Sequence, residues 1–474
     1  MYKINKIKKK NIYIYYIEEN TVKDNKIINF IDNVLSFKNS FVYESVEKGK
    51  IRGRYTIFGY DPDLIFETYN KKIYKNNKLQ KTTDPIRFLN NALKFLNFKL
   101  PKKLPPMSVM LNGYVGYDAI RYVEKLPDKC KDDLKIPDVK LIRPRKILIH
   151  DNLKKKIYYI YINFSHRTSQ DYRKKLYDMV QLGKNKIKKK YLNKKTFKVK
   201  PRSNITKNQF KKNVSIAKYH INKGDIFQVV LSQRFRIKIS KSPLEIYKKL
   251  RVINPSPFLY FFNFKNFQII GSSPEILVRV RNNELTIRPI AGTRKRGKNK
   301  IEDKKLQIQL LSDKKELSEH LMLLDLGRND VSKASIGGTV KVNEEFKIEK
   351  YSHVMHIVSN VVGKFNKKLS LLEAMFAGFP AGTVSGAPKI RAMEIIDNLE
   401  KSKRKLYAGA IGYFSPNKSM DTCIALRTAL IKKKTLYIQA GAGIVADSVP
   451  ENEYYETVNK AKAILEAAKW KLYW

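Results

Sequence analysis

Short runs of β-branched and aromatic residues dominate the first third of the chain and predict strands. The clearest are NIYIYYI (11–17), YTIFGY (55–60) and KIYYIYINF (156–164). Between them, IRFLNNALKFL (86–96) repeats its apolar residues at helical spacing. We therefore expect residues from about 10 to 165 to form short strands and turns with a few helices.

From about residue 205, strands and helices come in runs. GDIFQVVLSQRFRIKI (224–239) alternates like a strand, and SPLEIYKKLRVI (242–253) predicts a helix that NPSP stops. RNNE (281–284) predicts a turn between two strands. Further strands are predicted at 258–264, 267–273, 275–280, 284–290, 409–414, 423–431 and 436–445, and further helices at 303–330, 370–377, 387–400 and the C-terminal end. Runs of this kind, without strict βαβ alternation, predict an α+β fold with largely antiparallel sheets.

A lysine-rich, weakly periodic stretch separates these two parts of the chain. It contains neither Gly nor Pro between residues 184 and 200, and we interpret it as a connector. We therefore divide the chain into an N-terminal region (1–183), a basic linker (184–204) and a C-terminal region (205–474).

Two predicted helices each carry a Glu-x-x-Glu pair. In KELSEHLMLLDLGRNDVSK (315–333), the pair is Glu316 and Glu319. In PENEYYETVNKAKAILEAAKW (450–470), it is Glu453 and Glu456. Glutamates three apart share a neighbouring helix face, and their like charges repel.

The apolar residues of both helices predict which face is buried. The predicted stripe of the first helix is Leu317, Leu321 and Leu324; that of the second is Tyr454, Val458, Ala461 and Leu465, with Ser448 and Glu451 as a capping box. Two solvated helix faces would explain each pair, and a di-iron bundle would require Glu-x-x-His spacing, which is absent. Together, the two pairs are suited to a hard cation such as Mg²⁺, which binds carboxylate oxygens.

The overall charge is extreme but spread along the chain. Lys and Arg number 96 against 43 Asp and Glu, a formal net charge of +53. Such a charge raises nucleic acid as a partner, but no zinc-finger, RNA-binding or RGG signature accompanies it. We therefore expect nonspecific adsorption at low salt and no specific nucleic-acid binding.

Cysteine and hydropathy patterns indicate the compartment. Only Cys130 and Cys423 occur, which favours a reducing environment over a disulfide framework. No run of eighteen apolar residues exists, and the basic N-terminus lacks a signal-peptide core. We expect a cytoplasmic protein with no membrane segment.

Two glycine-rich segments resemble nucleotide-binding motifs only in form. Gly441-x-Gly443-x-x-Ala446 matches a dinucleotide fingerprint, but the chain ends after the next helix, so no strand completes the fold. Gly382-Thr-Val-Ser-Gly386-Ala-Pro-Lys389 lacks the Gly-Lys-Ser/Thr end of a P-loop. Both segments offer backbone N–H groups suited to a carboxylate, or glycines for tight packing.

Taken together, the motifs resemble the chorismate-utilising enzymes, and among them most closely the large subunits of anthranilate synthases. The motifs that carry the resemblance, in family order, are GDIFQVVLSQR, GSSPEIL, RPIAGTRKRG, EHLMLLDLGRND, HVMHIVS, PAGTVSGAPK, AIGYF, CIALRTA and AGAGIVADSVPENEYYET. The likeness spans about 205–460 and extends weakly to YESVEKGKIRGRYTIFG (43–59). It implies a sandwich-like core of antiparallel sheets with flanking helices.

The resemblance implies a lyase that converts chorismate and ammonia to anthranilate and pyruvate, the first committed step of tryptophan biosynthesis. It implies Glu275 as the acid for the leaving C4 hydroxyl, and His356 for proton handling in pyruvate elimination, with Thr383 also in the catalytic set. It places Mg²⁺ at Glu316, Glu319, Glu453 and Glu456. The residues implied to bind substrate are Gly292, Thr293, Tyr407, Arg427, Gly441, Ala442 and Gly443.

Two positions separate the sister activities of this family. Isochorismate and salicylate synthases carry a water-activating Lys where this chain has Gln228. Aminodeoxychorismate synthases carry a nucleophilic Lys where this chain has Ala291. Both positions favour anthranilate synthesis; aminodeoxychorismate synthesis and a basic nucleic-acid-binding derivative of the family are the alternatives.

The resemblance also implies partners and regulation. No fused glutaminase is recognisable, so a separate glutamine amidotransferase subunit is expected in a hetero-oligomer, and the positive charge would speed capture of an acidic partner. Tryptophan is the implied inhibitor. Its expected site is formed by Glu44 and Ser45, preceded by Val42 and Tyr43, together with Asn254, Pro255, Ser256, Pro257, Phe258 and Leu259. Tyr43 replaces a leucine and Phe258 a tyrosine of the family pattern.

Overall fold

The computed structural model describes residues 2–20, 25–45, 53–165, 168–185, 200–350 and 354–468. Within them the helices are α1 (Asn25–Val34), α2 (Pro85–Leu93), α3 (Tyr172–Lys184), α4 (Lys207–Asn222), α5 (Pro243–Ile253), α6 (Lys300–Ser312), α7 (Lys314–Ser332), α8 (Leu371–Ala377), α9 (Lys389–Leu399) and α10 (Pro450–Ala468). Short 3₁₀ helices span Lys94–Leu96, Tyr117–Tyr122 and Gly382–Val384.

The strands join the helices in the same runs that the sequence predicts. They are β1 (Asn5–Lys9), β2 (Ile12–Asn20), β3 (Ser40–Glu44), β4 (Tyr55–Tyr69), β5 (Lys72–Lys75), β6 (Lys78–Leu79), β7 (Leu111–Val115), β8 (Val139–Asp151), β9 (Lys156–Asn163), β10 (Arg202–Ser203), β11 (Gln228–Lys238), β12 (Phe258–Asn263), β13 (Gln268–Ser273), β14 (Ile276–Arg281), β15 (Glu284–Ile287), β16 (Ile290–Lys295), β17 (Lys341–Lys350), β18 (Val354–Lys364), β19 (Gly386–Ala387), β20 (Ala410–Ser415), β21 (Ser419–Ile424), β22 (Thr428–Lys432) and β23 (Thr435–Ile444).

Antiparallel ladders connect these strands into one hydrogen-bonded network, which confirms the predicted α+β fold. Strands from the two ends of the sequence pair directly: β3 pairs with β12, and β7 pairs with β20. The division of the chain into an N-terminal region, a linker and a C-terminal region stays a prediction. Residues 186–199 of the linker lie outside the described residues.

Central strands such as β2, β11 and β12 are buried on both faces, which explains their continuous apolar runs. In β12, Tyr260 and Phe262 belong to one hydrophobic cluster, whereas Leu259 and Phe261 belong to another. Alternate residues of a strand point to opposite faces, so the sheet separates two cores that helices cover. The long strand β11 is likewise buried along most of its length, and only its last three residues alternate with solvent, unlike the alternation expected from its sequence.

Local signals place several element ends where the sequence predicts them. Ser242 caps α5 in a capping box with Glu245, and Asn254 ends that helix. Asn282 and Asn283 both adopt positive φ, as the tight turn between β14 and β15 requires.

The helix predicted at 303–330 is instead two helices. The chain breaks at Asp313, whose side chain accepts hydrogen bonds from the backbone N–H groups of Lys315 and Glu316 and thereby caps α7. The apolar period continues across this break, so hydrophobic spacing alone did not reveal it.

Two further details of the helix predictions are wrong. Leu321 is 46% exposed, because the buried face of α7 runs through His320, Leu324 and Val331. Ser448 lies two residues before the start of α10. Its hydroxyl accepts a hydrogen bond from the N–H of Val445, so the expected capping box is not formed. The predicted stripe of α10 is confirmed: Val458, Ala461 and Leu465 are buried, and Tyr454 packs against the core as a half-buried residue.

Candidate active site

A buried carboxyl group lies at the centre of the site. Glu275 stands between β13 and β14 and is 7% exposed. Thr383 Oγ1, from the 3₁₀ turn Gly382–Val384, donates to Glu275 Oε1 at 2.9 Å. Burial raises the pKa of Glu275 to about 8, against the opposing effects of Thr383, Lys460 and Arg427. The carboxyl is therefore largely protonated at neutral pH and able to donate a proton.

A neutral histidine approaches the same region from β18. The Nδ1 atom of His356 lies 3.0 Å from the carbonyl oxygen of Gly292 and 3.0 Å from Thr293 Oγ1. A carbonyl can only accept, so Nδ1 carries the proton and Nε2 is the basic nitrogen. Burial lowers the pKa of His356, and Arg427 lowers it further, which favours the neutral form.

The two glutamate pairs approach each other from separate helices. Burial raises the pKa of Glu319, and the neighbouring Glu316 and Glu456 raise it further. The pKa of Glu453 is also raised, by burial and then by Glu456, although its hydrogen bond with Ser448 opposes the change. Glu319 on α7 and Glu456 on α10 are therefore close enough to interact electrostatically.

These carboxylates are partly engaged by cations of the protein. Lys460 Nζ lies 2.6 Å from Glu456 Oε1, and Arg294 Nη1 lies 2.9 Å from Glu316 Oε1. Among the described residues, no three His, Cys, Asp or Glu side chains gather in a group that could hold a metal ion. The donor chemistry still suits a hard dication, because all the donors are carboxylates. Binding would require Lys460 and Arg294 to release their partners.

Strand β23 supplies a backbone surface beside these carboxylates. A Cβ added to Gly443 would lie 2.5 Å from Gln228 Nε2, and one added to Gly441 would lie 2.6 Å from the Tyr407 hydroxyl. At Gly441 the added atom would also lie 2.9 Å from the backbone oxygen of Leu231, so glycine is needed there for close approach. At Gly443 the nearest atom is the end of a flexible side chain, which can move aside. Ala442 faces the opposite way and packs in a core cluster, so its side chain does not reach this surface.

Gln228 connects the glycine strand to the carboxylates. Its Nε2 lies 3.4 Å from Glu319 Oε1, and its Oε1 is buried with no hydrogen-bond partner among the described residues. Tyr407 is also buried, and burial raises its pKa to about 12. Its hydroxyl therefore stays protonated at neutral pH.

A bulge in β16 lies beside the glutamates of α7, since a Cβ added to Gly292 would lie 3.2 Å from Glu316 Oε2. The register against β18 shifts between Ala291 and Thr293, and Gly292 between them has a φ of +62°. Such a bulge turns a side chain or carbonyl out of the ladder. Arg427 lies in the loop between β21 and β22 and has a φ of +46°. Its positive charge lowers the pKa of both Glu275 and His356.

Two cations of this site, Lys460 and Arg294, were not predicted from the sequence. Lys460 lies one helical turn after Glu456, donates to the carbonyl of Gly441 at 3.1 Å, and faces Glu275. Arg294, in the motif RPIAGTRKRG, bridges Glu316 and Asp313. The i+4 spacing from Glu456 was the available signal for Lys460; nothing local indicated the pairing of Arg294.

A separate large cavity includes much of the predicted inhibitor site. Its volume is about 990 Å³, and its lining includes Tyr43, Glu44, Ser45, Pro257, Phe258 and Leu259. These residues meet because β3 pairs with β12, placing Glu44 opposite Leu259. Ser45 Oγ is buried with no hydrogen-bond partner among the described residues.

The remaining predicted inhibitor residues have structural partners. Asn254 ends α5 and exchanges hydrogen bonds with Ser272, and Ser256 Oγ donates to the carbonyl of Ser273 at 2.5 Å. With Pro255, they do not line the cavity. The Glu44 carboxylate is already bound by Arg251 at 2.9 Å and by the hydroxyl of Tyr247 at 2.5 Å.

Comparison with known proteins supports the likeness seen in the motifs. The profile of the chorismate binding enzymes matches residues 38–466. Anthranilate synthase component 1 of Cereibacter sphaeroides is 47% identical over 462 residues, covering 91% of this chain and 89% of that protein. The corresponding protein of Acetivibrio thermocellus is 46% identical over 444 residues, covering 90% and 89%. The crystal structure of anthranilate synthase component I from Streptococcus pneumoniae superposes with a TM-score of 0.80 at 38% identity, covering 88% of this chain and 93% of that one. These matches confirm the resemblance, and the chain belongs to the chorismate-binding enzyme family.

Proposed function

We propose that this chain converts chorismate and ammonia to anthranilate, pyruvate and water. The observation that carries the proposal is Glu275, a buried acid that stays protonated near neutral pH and lies close to the cations Arg427 and Lys460. Chorismate carries two carboxylates and a poor leaving group, the C4 hydroxyl. A site with both an acid and cations matches these requirements.

In the first step, ammonia attacks C2 of chorismate, both ring double bonds shift by one position, and the C4–O bond breaks. Glu275 gives its proton to the departing oxygen, which leaves as water. Thr383 holds the carboxyl through Oε1 and so orients it. A carboxyl with a pKa of about 8 is both available as an acid at neutral pH and strong enough to transfer its proton.

In the second step, the C2 proton is removed and the C3–O bond breaks, which makes the ring aromatic. The enolpyruvyl group leaves as the enolate of pyruvate, which takes up a proton at its methylene carbon. His356 is the base in this proposal, because the carbonyl of Gly292 fixes the Nδ1–H tautomer and leaves Nε2 as the basic nitrogen. Arg427 and Tyr407 bind the enolpyruvyl carboxylate, Arg427 through its bidentate fork. The backbone around Gly441 and Gly443 completes the substrate cradle.

We assign a Mg²⁺ site to Glu316, Glu319, Glu453 and Glu456. When bound, Mg²⁺ would neutralise the ring carboxylate of chorismate and withdraw electrons from the ring. Burial, and then the charge of neighbouring glutamates, raises the pKa values of Glu319 and Glu453. The repulsion among these carboxylates supports the assignment, since a dication would relieve it.

The choice of nucleophile follows from Gln228 and Ala291. Neither side chain can act as a base or form a covalent adduct, so water is not activated and C2 is left open to ammonia. The Oε1 atom of Gln228 is a buried acceptor without a partner among the described residues, suited to an N–H of the incoming ammonia. Isochorismate and aminodeoxychorismate formation are both disfavoured.

Ammonia is scarce as the free base at neutral pH. We propose that a glutamine amidotransferase subunit supplies it, in a cytoplasmic hetero-oligomer. The relatives' designation as component 1 of anthranilate synthase supports a second component. In the described part of the chain, no helix has the length and apolar character needed to cross a membrane.

We also propose that tryptophan binds in the 990 Å³ cavity and inhibits the enzyme. Ser45 offers a buried hydroxyl, while Pro257 and Leu259 offer apolar walls. Because Arg251 already binds Glu44 on one side, the ammonium group of the inhibitor would share that carboxylate with Arg251.

One assay tests the proposed reaction. Purified chain is mixed with chorismate, Mg²⁺ and an ammonium salt at about pH 8, and anthranilate is followed by its fluorescence and mass. We expect anthranilate and pyruvate in equal amounts, and none when ammonium is omitted. Isochorismate or aminodeoxychorismate as the main product would contradict the proposal.

A further inference from the structure

A buried guanidinium joins several segments of the site. The side chain of Arg404 is 1% exposed, and its Nε and Nη2 bind the two oxygens of Glu400 at 3.0 and 2.6 Å. Its other bonds go to backbone carbonyls: Nη1 donates to Val384 at 2.7 Å, and Nη2 donates to Val230 at 2.6 Å. Four hydrogen bonds thus leave one planar group in divergent directions.

Each of these carbonyls belongs to a segment that carries a site residue. Val384 follows Thr383 in the 3₁₀ turn, and Thr383 holds the carboxyl of Glu275. Val230 lies two residues after Gln228 in β11. The N–H of Val230 also donates to the carbonyl of Ser385 at 2.9 Å, so turn and strand are held together directly as well as through the guanidinium.

Arg404 also contacts the third segment, which carries Tyr407. The guanidinium carbon lies 5.4 Å from the centre of the Tyr407 ring, a cation–π distance, and the N–H of Tyr407 donates to the carbonyl of Arg404. Glu400 in turn accepts from both the N–H and the hydroxyl of Ser232 on β11. The anchor of the guanidinium is therefore itself fixed to the strand.

We propose that Arg404 is a positioning residue for the reaction: it fixes the turn of Thr383 against the strand of Gln228 and so keeps Thr383 Oγ1 on the carboxyl of Glu275. A lysine keeps the charge beside Glu400 but has no planar fork, so it cannot hold the carboxylate and both carbonyls together. The inference rests on the proposed function.

The test compares Arg404→Lys with Thr383→Ala and with the double variant. The hydrogen bond from Thr383 lowers the pKa of Glu275, so its loss raises that pKa. The high-pH fall in kcat/KM should therefore move to higher pH in Arg404→Lys, and by a similar amount in Thr383→Ala. The charged groups facing Glu275, Lys460 and Arg427, are unchanged in all variants.

The double variant shows whether the two residues act through one contact. If they do, the double variant should shift no further than Thr383→Ala alone, because the same hydrogen bond is already lost. We also expect kcat to fall by about 10- to 100-fold in Arg404→Lys, as is typical when a supporting hydrogen bond is removed from a site. Additive shifts would overturn the inference.

Arg121→Lys is the matched control. Arg121 is another largely buried arginine, but it binds Asp118, Asp397 and the carbonyl of Pro127, outside the site. Its replacement should leave the pH profile unchanged. The same shift in Arg121→Lys would overturn the inference, as would an unmoved profile in folded Arg404→Lys.

If Arg404→Lys does not fold, Glu400→Gln decides the question. It weakens the anchor of the guanidinium while keeping an acceptor for Ser232, and it should shift the profile in the same direction. An unmoved profile would count against the positioning role. Absence of anthranilate from the wild-type chain would instead refute the proposed function.

Discussion

The protonation of Glu275 predicts how the stability of the folded chain should vary with pH. The carboxyl of Glu275 has a pKa of about 8 in the folded chain, against an ordinary value of 4.5. The two pKa values thus differ by about 3.5 pH units. Between these values, the folded chain keeps a proton that the unfolded chain has released. The resulting stabilisation is complete below pH 4.5 and is lost as pH rises through about 8.

The size of the effect follows from the same difference. At about 1.4 kcal/mol per pH unit, the upper bound is ~5 kcal/mol across the window. Glu275→Gln removes the titration while keeping an oxygen that can accept from Thr383. Relative to this variant, the wild type should lose stability steadily from about pH 5 to about pH 8, by up to ~1.4 kcal/mol for each unit.

Urea unfolding followed by circular dichroism at several pH values measures this difference. Glu345→Gln, which removes a carboxylate that is 54% exposed on β17, is the control. If wild type and Glu275→Gln differ by the same free energy at pH 5 and pH 8, Glu275 is not held protonated. In activity, kcat/KM of the wild type should fall above pH 8, and Glu275→Gln should lose about 10²- to 10⁴-fold.

Four further substitutions test other parts of the site. Glu319→Gln should weaken Mg²⁺ activation by at least ~100-fold, because loss of a ligand costs more than loss of a residue that only orients a ligand. Near-normal turnover at ordinary Mg²⁺ concentration would contradict the metal assignment. Gln228→Lys should yield some isochorismate, detectable by mass and chromatography; an unchanged product would show that the nucleophile is selected elsewhere. Tyr43→Leu should strengthen tryptophan inhibition by about 10- to 100-fold, since relief of an overpacked contact is worth ~1–3 kcal/mol, and Ser45→Ala should weaken it. An inhibition curve for Tyr43→Leu that matches the wild type would refute the steric argument.

Much of the local structure could be predicted because its causes are local. The turn at Asn282 and Asn283 follows from residues that tolerate positive φ, and the start of α5 follows from the capping box of Ser242. Helical spacing placed each Glu-x-x-Glu pair on one helix face. The family motifs then connected residues that are distant along the chain, which spacing alone could not do.

Some predictions failed where tertiary contacts override a local period. Leu321 continues the apolar stripe in sequence but is exposed, because the sheet covers the face of α7 that contains His320 and Leu324. The role predicted for Ala442 stays a prediction. Its side chain packs in the core because successive residues of a strand face opposite ways, which leaves its backbone to contact a substrate.

The sequence by itself determined the residue types that the proposed reaction needs, their placement on helices and strands, and the antiparallel character of the sheet. Only the tertiary structure decided their electrostatics. The raised pKa of Glu275 arises because the fold buries a carboxyl beside residues more than a hundred positions away, such as Thr383 and Lys460. The site of Arg404 depends equally on the fold, because its hydrogen bonds join a turn and a strand that are distant in sequence. Desolvation and non-local hydrogen bonds exist only after the chain has packed, so no local pattern records them.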